Sequence, residues 1–174
     1  MCEPCASETN HPKVPMADPI DLFDPAAWMF VSDGVMGGIS EGDLSAVDAE
    51  GSLTLRLTGV VRTENNGGFI QMRRTLEVAL PSNTSALRLT VRGNGERYFV
   101  HLRTPARQRP WHYYRAPFDT GSDWREVTLP LMDFRPSRPE MPATFAAPDV
   151  QVIGLAAIGR AHRADLWLAA IDAV

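Results

Sequence analysis

The chain carries no surplus of positive charge: Lys and Arg number 17 against 21 Asp and Glu, a formal net charge of −4 over 174 residues. A nucleic-acid backbone or an anionic membrane would find little to hold, which argues against generic binding to either. Long apolar runs are missing too. The longest, Val152 to Gly159, ends at Arg160 and is too short to span a bilayer. Cysteine is scarce, two residues in all, and both lie at the very start as Cys2 and Cys5. Their C-x-x-C spacing resembles a metal or dithiol motif, yet only His11 lies near enough in sequence to add a ligand, so no metal site is assigned. The first residues, Met1-Cys2-Glu3-Pro4, show neither the basic nor the apolar region of a secretory signal, and a cytoplasmic protein is expected.

What is present is enough for one domain. A chain of this size buries roughly two thirds of the surface its unfolded form exposes, so no disulfide is required. Residues 1–19 hold Pro4, Pro12, Pro15 and Pro19 among polar neighbours and read as a flexible leader, with a single domain over 20–174.

Within that domain, hydrophobicity alternates with period two. Leu53, Leu55 and Leu57 alternate with Thr54, Arg56 and Thr58, and Leu87, Leu89 and Val91 with Arg88, Thr90 and Arg92. Tyr98, Val100 and Leu102 oppose Phe99, His101 and Arg103, and Gly93-Asn94-Gly95-Glu96 before them has hairpin-turn chemistry, which predicts an antiparallel pair. Further strands are expected at Trp28–Val31, Phe69–Leu76, Trp111–Phe118, Trp124–Leu129, Val150–Ala157 and Ala164–Ile171. The last could be helical by its Ala and Leu content, but its length favours a central strand buried on both faces. About eight or nine short strands without helical crossovers predict an all-β antiparallel sandwich, most simply a jelly roll. Arg135 to Pro148 is the one long loop.

Reaction motifs are absent. No serine sits in G-x-S-x-G, no P-loop or strand-linked G-x-G-x-x-G occurs, and His11, His101, His112 and His162 form no ligand pattern. No catalytic residue, metal or cofactor is assigned. Two features remain. The first is Ser32-Asp33-Gly34-Val35-Met36-Gly37-Gly38-Ile39-Ser40, a turn whose glycines meet special backbone needs while Val35, Met36 and Ile39 call for burial, in the core or at a contact surface. The second is a set of candidate binding residues on strands, Arg92, His101, Arg103, Trp111, Tyr113 and Tyr114; if their strands were neighbours, Arg92, His101, Arg103 and one of the Tyr113 or Tyr114 rings would form one basic and aromatic surface. That surface is either a binding site or a sheet face held by its own cross-strand pairs.

Taken in order, several motifs resemble the complex I intermediate-associated protein 30 family. They are Ser32 to Ser40 with Asp33, Gly34, Gly37 and Gly38, then Asn66-Gly67-Gly68-Phe69, Leu89 to Gly95, Tyr98 to Arg103, Tyr114 to Phe118, Trp124, Leu129 to Phe134 and Val152 to Leu155. They span about residues 20–172. The resemblance implies a galactose-binding-domain-like jelly roll without catalytic activity, and a role as an assembly factor for respiratory NADH:ubiquinone oxidoreductase. The expected partner is therefore a protein client, with a respiratory-complex subunit as the implied case. The alternative is a carbohydrate, whose rings would stack on Trp111, Tyr113 and Tyr114. An enzyme built around His101 with Asp119 or Asp133 stands third.

Overall fold

Residues 18–174 are described by a computed structural model. Cys2, Cys5, His11 and almost all of the expected leader lie outside these described residues. Alternating side chains build two six-stranded antiparallel sheets packed face to face. In spatial order the first sheet is β3 (Glu41–Ala49), β4 (Ser52–Val61), β12 (His162–Ala173), β6 (Ala86–Gly93) and β9 (Arg125–Pro130), with β1 (Ile20–Asp21) also paired to β12. The second is β10 (Arg135–Pro136), β8 (Tyr114–Asp119), β7 (Arg97–Arg103), β11 (Val152–Ile158), β5 (Phe69–Thr75) and β2 (Met29–Ser32). The result is a β-sandwich of jelly-roll type. Among the described residues there is no α-helix, and no helix is long and apolar enough to cross a membrane.

The core lies between the sheets. From the first come Leu55, Leu57, Leu87, Leu89, Val91, Leu166 and Leu168; from the second come Ile70, Met72, Tyr98, Val100, Leu102 and Leu155, all essentially inaccessible. Fully burying one such aliphatic side chain contributes about 1.5–3 kcal/mol, so this interior is the main stabilising term.

Three expectations change. The runs 87–91 and 98–102 are not a hairpin, since β6 pairs with β12 and β9 while β7 pairs with β8 and β11. Gly93 to Glu96 instead carries the chain from one sheet to the other. Two strands that face each other across a sandwich bury alternate residues just as neighbours do, so periodicity could not separate the cases. The terminal segment is a strand and is central, as its length implied, but its outward Asp165 and Trp167 are only half-buried. The strand buried on both faces is β11, from Ile153 to Ala157. Finally, β3 and the two-residue strands β1 and β10 were not expected. The run Glu41–Ala49 alternates weakly, with exposed and half-buried residues throughout, as suits a sheet edge.

Candidate functional site

The glycine-rich turn folds around a charge. Ser32 leads into a 3-10 turn at Asp33–Met36, where the chain leaves β2 for β3. Val35, Met36 and Ile39, expected in the core or at a contact surface, lie outside the core at 76%, 52% and 42% exposed, while Asp33 is fully buried. The inversion has a clear cause. The Asp33 carboxylate accepts hydrogen bonds from the Ser40 amide (3.0 Å), the Ser40 hydroxyl and the amides of Gly68 (2.6 Å) and Phe69 (3.3 Å). Burial pushes this carboxyl up, but the Ser40 hydroxyl and those three amides outweigh it and hold the pKa below the ordinary range. A side chain at Gly38 would overlap the Asp33 carboxyl group, and a Cβ at Gly67 would stand 2.5 Å from its oxygen. Thus Ser32–Ser40 and Asn66–Phe69, remote in sequence, are two halves of one cage. Gly37, at φ 84°, closes the turn and leaves Val35 and Met36 facing outward.

Beside this cage a groove of about 790 Å³ runs over the outer face of the second sheet. Its volume lies within the usual range for ligand pockets. Strand register explains its shape. Gly154 of β11 is paired to Arg73 of β5 on one side and His101 of β7 on the other, and Ala156 to Gln71 and Phe99. Small residues therefore occupy the middle strand, and Gln71, Arg73, His101 and Arg103 from the strands on either side line the groove. One wall continues with Phe69, Val35 and Met36 from the cage, and the opposite wall with Trp111 and Tyr113.

The segment before β8 is fixed in place by its own polar contacts. Buried His112 meets Glu140 through Nε2 (3.2 Å) and accepts the Gln108 amide at Nδ1 (3.3 Å). The Ser137 hydroxyl donates to the Trp111 carbonyl (2.7 Å) and accepts the Tyr113 amide (3.1 Å). With His112 turned inward, Trp111 and Tyr113 line the groove. The Tyr113 ring stacks on His101, centroids 4.0 Å apart and planes 19° from parallel.

Electrostatically the groove is one-sided. Its lining includes Arg73 and Arg103 and not one Asp or Glu. Among the described residues neither guanidinium has a carboxylate within ion-pairing distance. Burial pushes the Arg103 guanidinium below its ordinary value, and the charges of Arg73 and Arg107 act in the same direction. Arg73 is lowered likewise, by burial first and then by Arg107. His101, 5% exposed, is lowered to about 3 by burial and by Arg103 and Arg115, so it is neutral at physiological pH. Its Nε2 is buried and has no hydrogen-bond partner among the described residues.

Of the six candidate residues, the fold brings four together: His101, Arg103, Trp111 and Tyr113 line this groove. Arg92 belongs to the other sheet. It lies 4.7 Å over the Trp124 ring and 4.4 Å over Trp167, while nearby Arg56 is paired to Asp165 and Arg88 to Asp172. Tyr114 faces the core; it is fully buried, its hydroxyl donates to the Pro142 carbonyl (2.8 Å), and its ring sits 4.6 Å from Phe145. Of the two tyrosines, one of which was expected on the surface, Tyr113 just before β8 is the one in the groove. Gln71, Arg73 and Asn66 were missed. The available signal was the alternation Phe69, Gln71, Arg73, which sets a polar outer face against buried Ile70 and Met72.

The family model for complex I intermediate-associated protein 30 matches residues 18–168. The chain belongs to that family. Within this family member, the motifs that form the Asp33 cage and the strands under the groove all fall inside the matched region. No curated protein matches the chain. Among solved structures it is similar to a family 11 carbohydrate-binding module from Clostridium thermocellum in complex with a β-1,3-1,4-mixed-linked tetrasaccharide. That likeness has a TM-score of 0.72 at 12% identity and covers 91% of this chain and 97% of the module. A family 30 carbohydrate-binding module of a cellulosomal cellulase of the same organism gives 0.62 at 17% identity, with 90% and 92% covered. An exo-β-agarase gives 0.56 at 8% identity, covering 86% of this chain and 23% of the agarase. At these identities the likeness shows a shared fold.

Proposed function

We propose that this family member is a non-enzymatic protein-binding module that holds a client during assembly of respiratory NADH:ubiquinone oxidoreductase, through the groove on its second sheet. Membership of a family described as associated with a complex I intermediate supports the assembly role. One observation carries the choice of surface: among the described residues Arg73 and Arg103 stand half-buried without a counter-charge, whereas Arg56 and Arg88 on the other sheet are satisfied by carboxylates and Arg92 by indole rings. Partly desolvated cations left without a partner are costly alone and favourable once a complementary group arrives. In this reading the module is cytoplasmic and meets the client on a water-exposed segment.

The test is co-purification of tagged full-length chain under native conditions, with oxidoreductase subunits quantified by mass spectrometry. The wild type should enrich them, and a Trp111→Ala, Tyr113→Ala double variant of unchanged stability should lose most of that enrichment. Equal recovery by both would remove the groove from the account.

Carbohydrate binding is the second reading, favoured by Trp111, which is 46% exposed in the groove, and by Tyr113 near it. Against it, one face of Tyr113 is already covered by His101, and the lining offers two cations and no carboxylate to a neutral sugar. Titration with mixed-linked β-glucan oligosaccharides decides: saturable heat would favour the sugar, and none would leave the protein client.

A further inference from the structure

Resting on the protein-client reading, we propose that the groove recognises a carboxylate, taking an extended client segment in which an Asp or Glu is flanked by aliphatic or aromatic residues. Arg73 and His101 both lie opposite Gly154, on strands two spacings apart, so Arg73 and the His101–Arg103 ridge flank a floor about 10 Å across. Guanidinium groups on both sides of a gap that size can share one carboxylate through charge-assisted hydrogen bonds.

Two further observations converge on the same partner. No Asp or Glu among the lining residues competes for the arginines. Beyond the cations, the rim is apolar at one side, with exposed Val35 and Met36, and aromatic at the other, with Trp111. That rim suits the side chains next to an acidic residue in a peptide and offers little to sugar hydroxyls. A polyphosphate chain would gain from the arginines, but the chain's overall charge of −4 opposes its approach.

The experiment uses the full chain and two synthetic nonapeptide pools. Both carry Leu, Val, Phe or Tyr at the positions around the centre; one has Glu at the centre and the other Gln. Binding is followed by nitrogen-15 NMR at the Arg side-chain Nε–H groups and the Gly67 and Gly68 amides. The Glu pool should bind at least about tenfold more tightly, as one or two charge-assisted bonds allow. That preference should disappear in Arg73→Gln and in Arg103→Gln, and neither substitution should lower the melting midpoint. Equal affinity for both pools overturns the inference, as does a Glu preference that survives both substitutions or a response to mixed-linked tetrasaccharide alone. The co-purification assay separates the two levels. Subunit recovery lost in Trp111→Ala, Tyr113→Ala but kept in both Arg variants would overturn carboxylate recognition and leave the assembly reading standing. Glu-selective binding without any recovered subunit would support carboxylate recognition and overturn the assembly reading.

Discussion

Acid should weaken this fold through His101, and the size of the effect follows from its surroundings. In the unfolded chain a histidine titrates near 6.5. In the folded chain burial, Arg103 and Arg115 bring His101 to about 3, with Arg73 across the groove and Tyr113 stacked on its ring. Between these values the unfolded state binds the extra proton, so stability rises with pH through the window from about 3 to 6.5 and is lost as pH falls below 6.5. The limiting slope is about 1.4 kcal/mol per pH unit, and from pH 7 to pH 5 this one group should remove about 2 kcal/mol. Urea unfolding at several pH values measures it, with His101→Phe as reference because phenylalanine keeps a ring against Tyr113 and cannot titrate. The wild type should lose about 2 kcal/mol more than the variant over that interval, and at pH 7 the variant should be no less stable, since it also removes a buried Nε2 without a partner. Parallel pH curves for the two proteins would refute the reasoning and would mean that water or a counter-ion reaches the imidazole.

Other expectations concern the cage and the groove. Asp33→Asn replaces an acceptor of four hydrogen bonds with a group that also carries donors, and should cost about 3 kcal/mol in urea unfolding. Gly38→Ala should cost about 2 kcal/mol by overlap with the Asp33 carboxyl, whereas Gly37→Ala, with open space around its Cβ but φ at 84°, should cost about 1 kcal/mol. Gly154→Ala brings a Cβ to 2.7 Å from the Gln71 Oε1, so the Gln71 side chain that lines the groove must shift; the change should leave stability within about 1 kcal/mol while reducing client recovery. Arg92→Ala removes two cation–π contacts on the other sheet; it should cost about 1 kcal/mol of stability and leave client recovery unchanged.

How far sequence could reach is clear from individual residues. Strand alternation located the inward faces of β6, β7 and the core of β4, because period two is imposed by the pleat and does not depend on which strand is the neighbour. For the same reason it could not say that β6 and β7 lie in different sheets, and the single surface drawn through Arg92 and Arg103 divides into two. Arg92 is satisfied by indole rings, and Arg103 faces an open groove. In the Ser32–Ser40 turn, hydropathy left Val35, Met36 and Ile39 in the core or at a contact surface; they lie outside the core because the deciding factor was the need of backbone amides for an acceptor. Two of those amides, from Gly68 and Phe69, come from 35 and 36 residues further along, beyond the reach of any local pattern. Likewise, Gly154 matters because Arg73 and His101 rise on either side of it, a relation that exists only once β5, β11 and β7 are in register.

The most direct test of the central claim is site-specific photo-crosslinking in cells of the source organism, with a benzophenone amino acid at position 111 in the groove or at position 167 on the opposite sheet. Position 111 should capture a subunit of NADH:ubiquinone oxidoreductase, with the crosslink mapping within a few residues of an Asp or Glu, while position 167 captures none. Capture of that subunit from position 167, with none from position 111, would contradict the account.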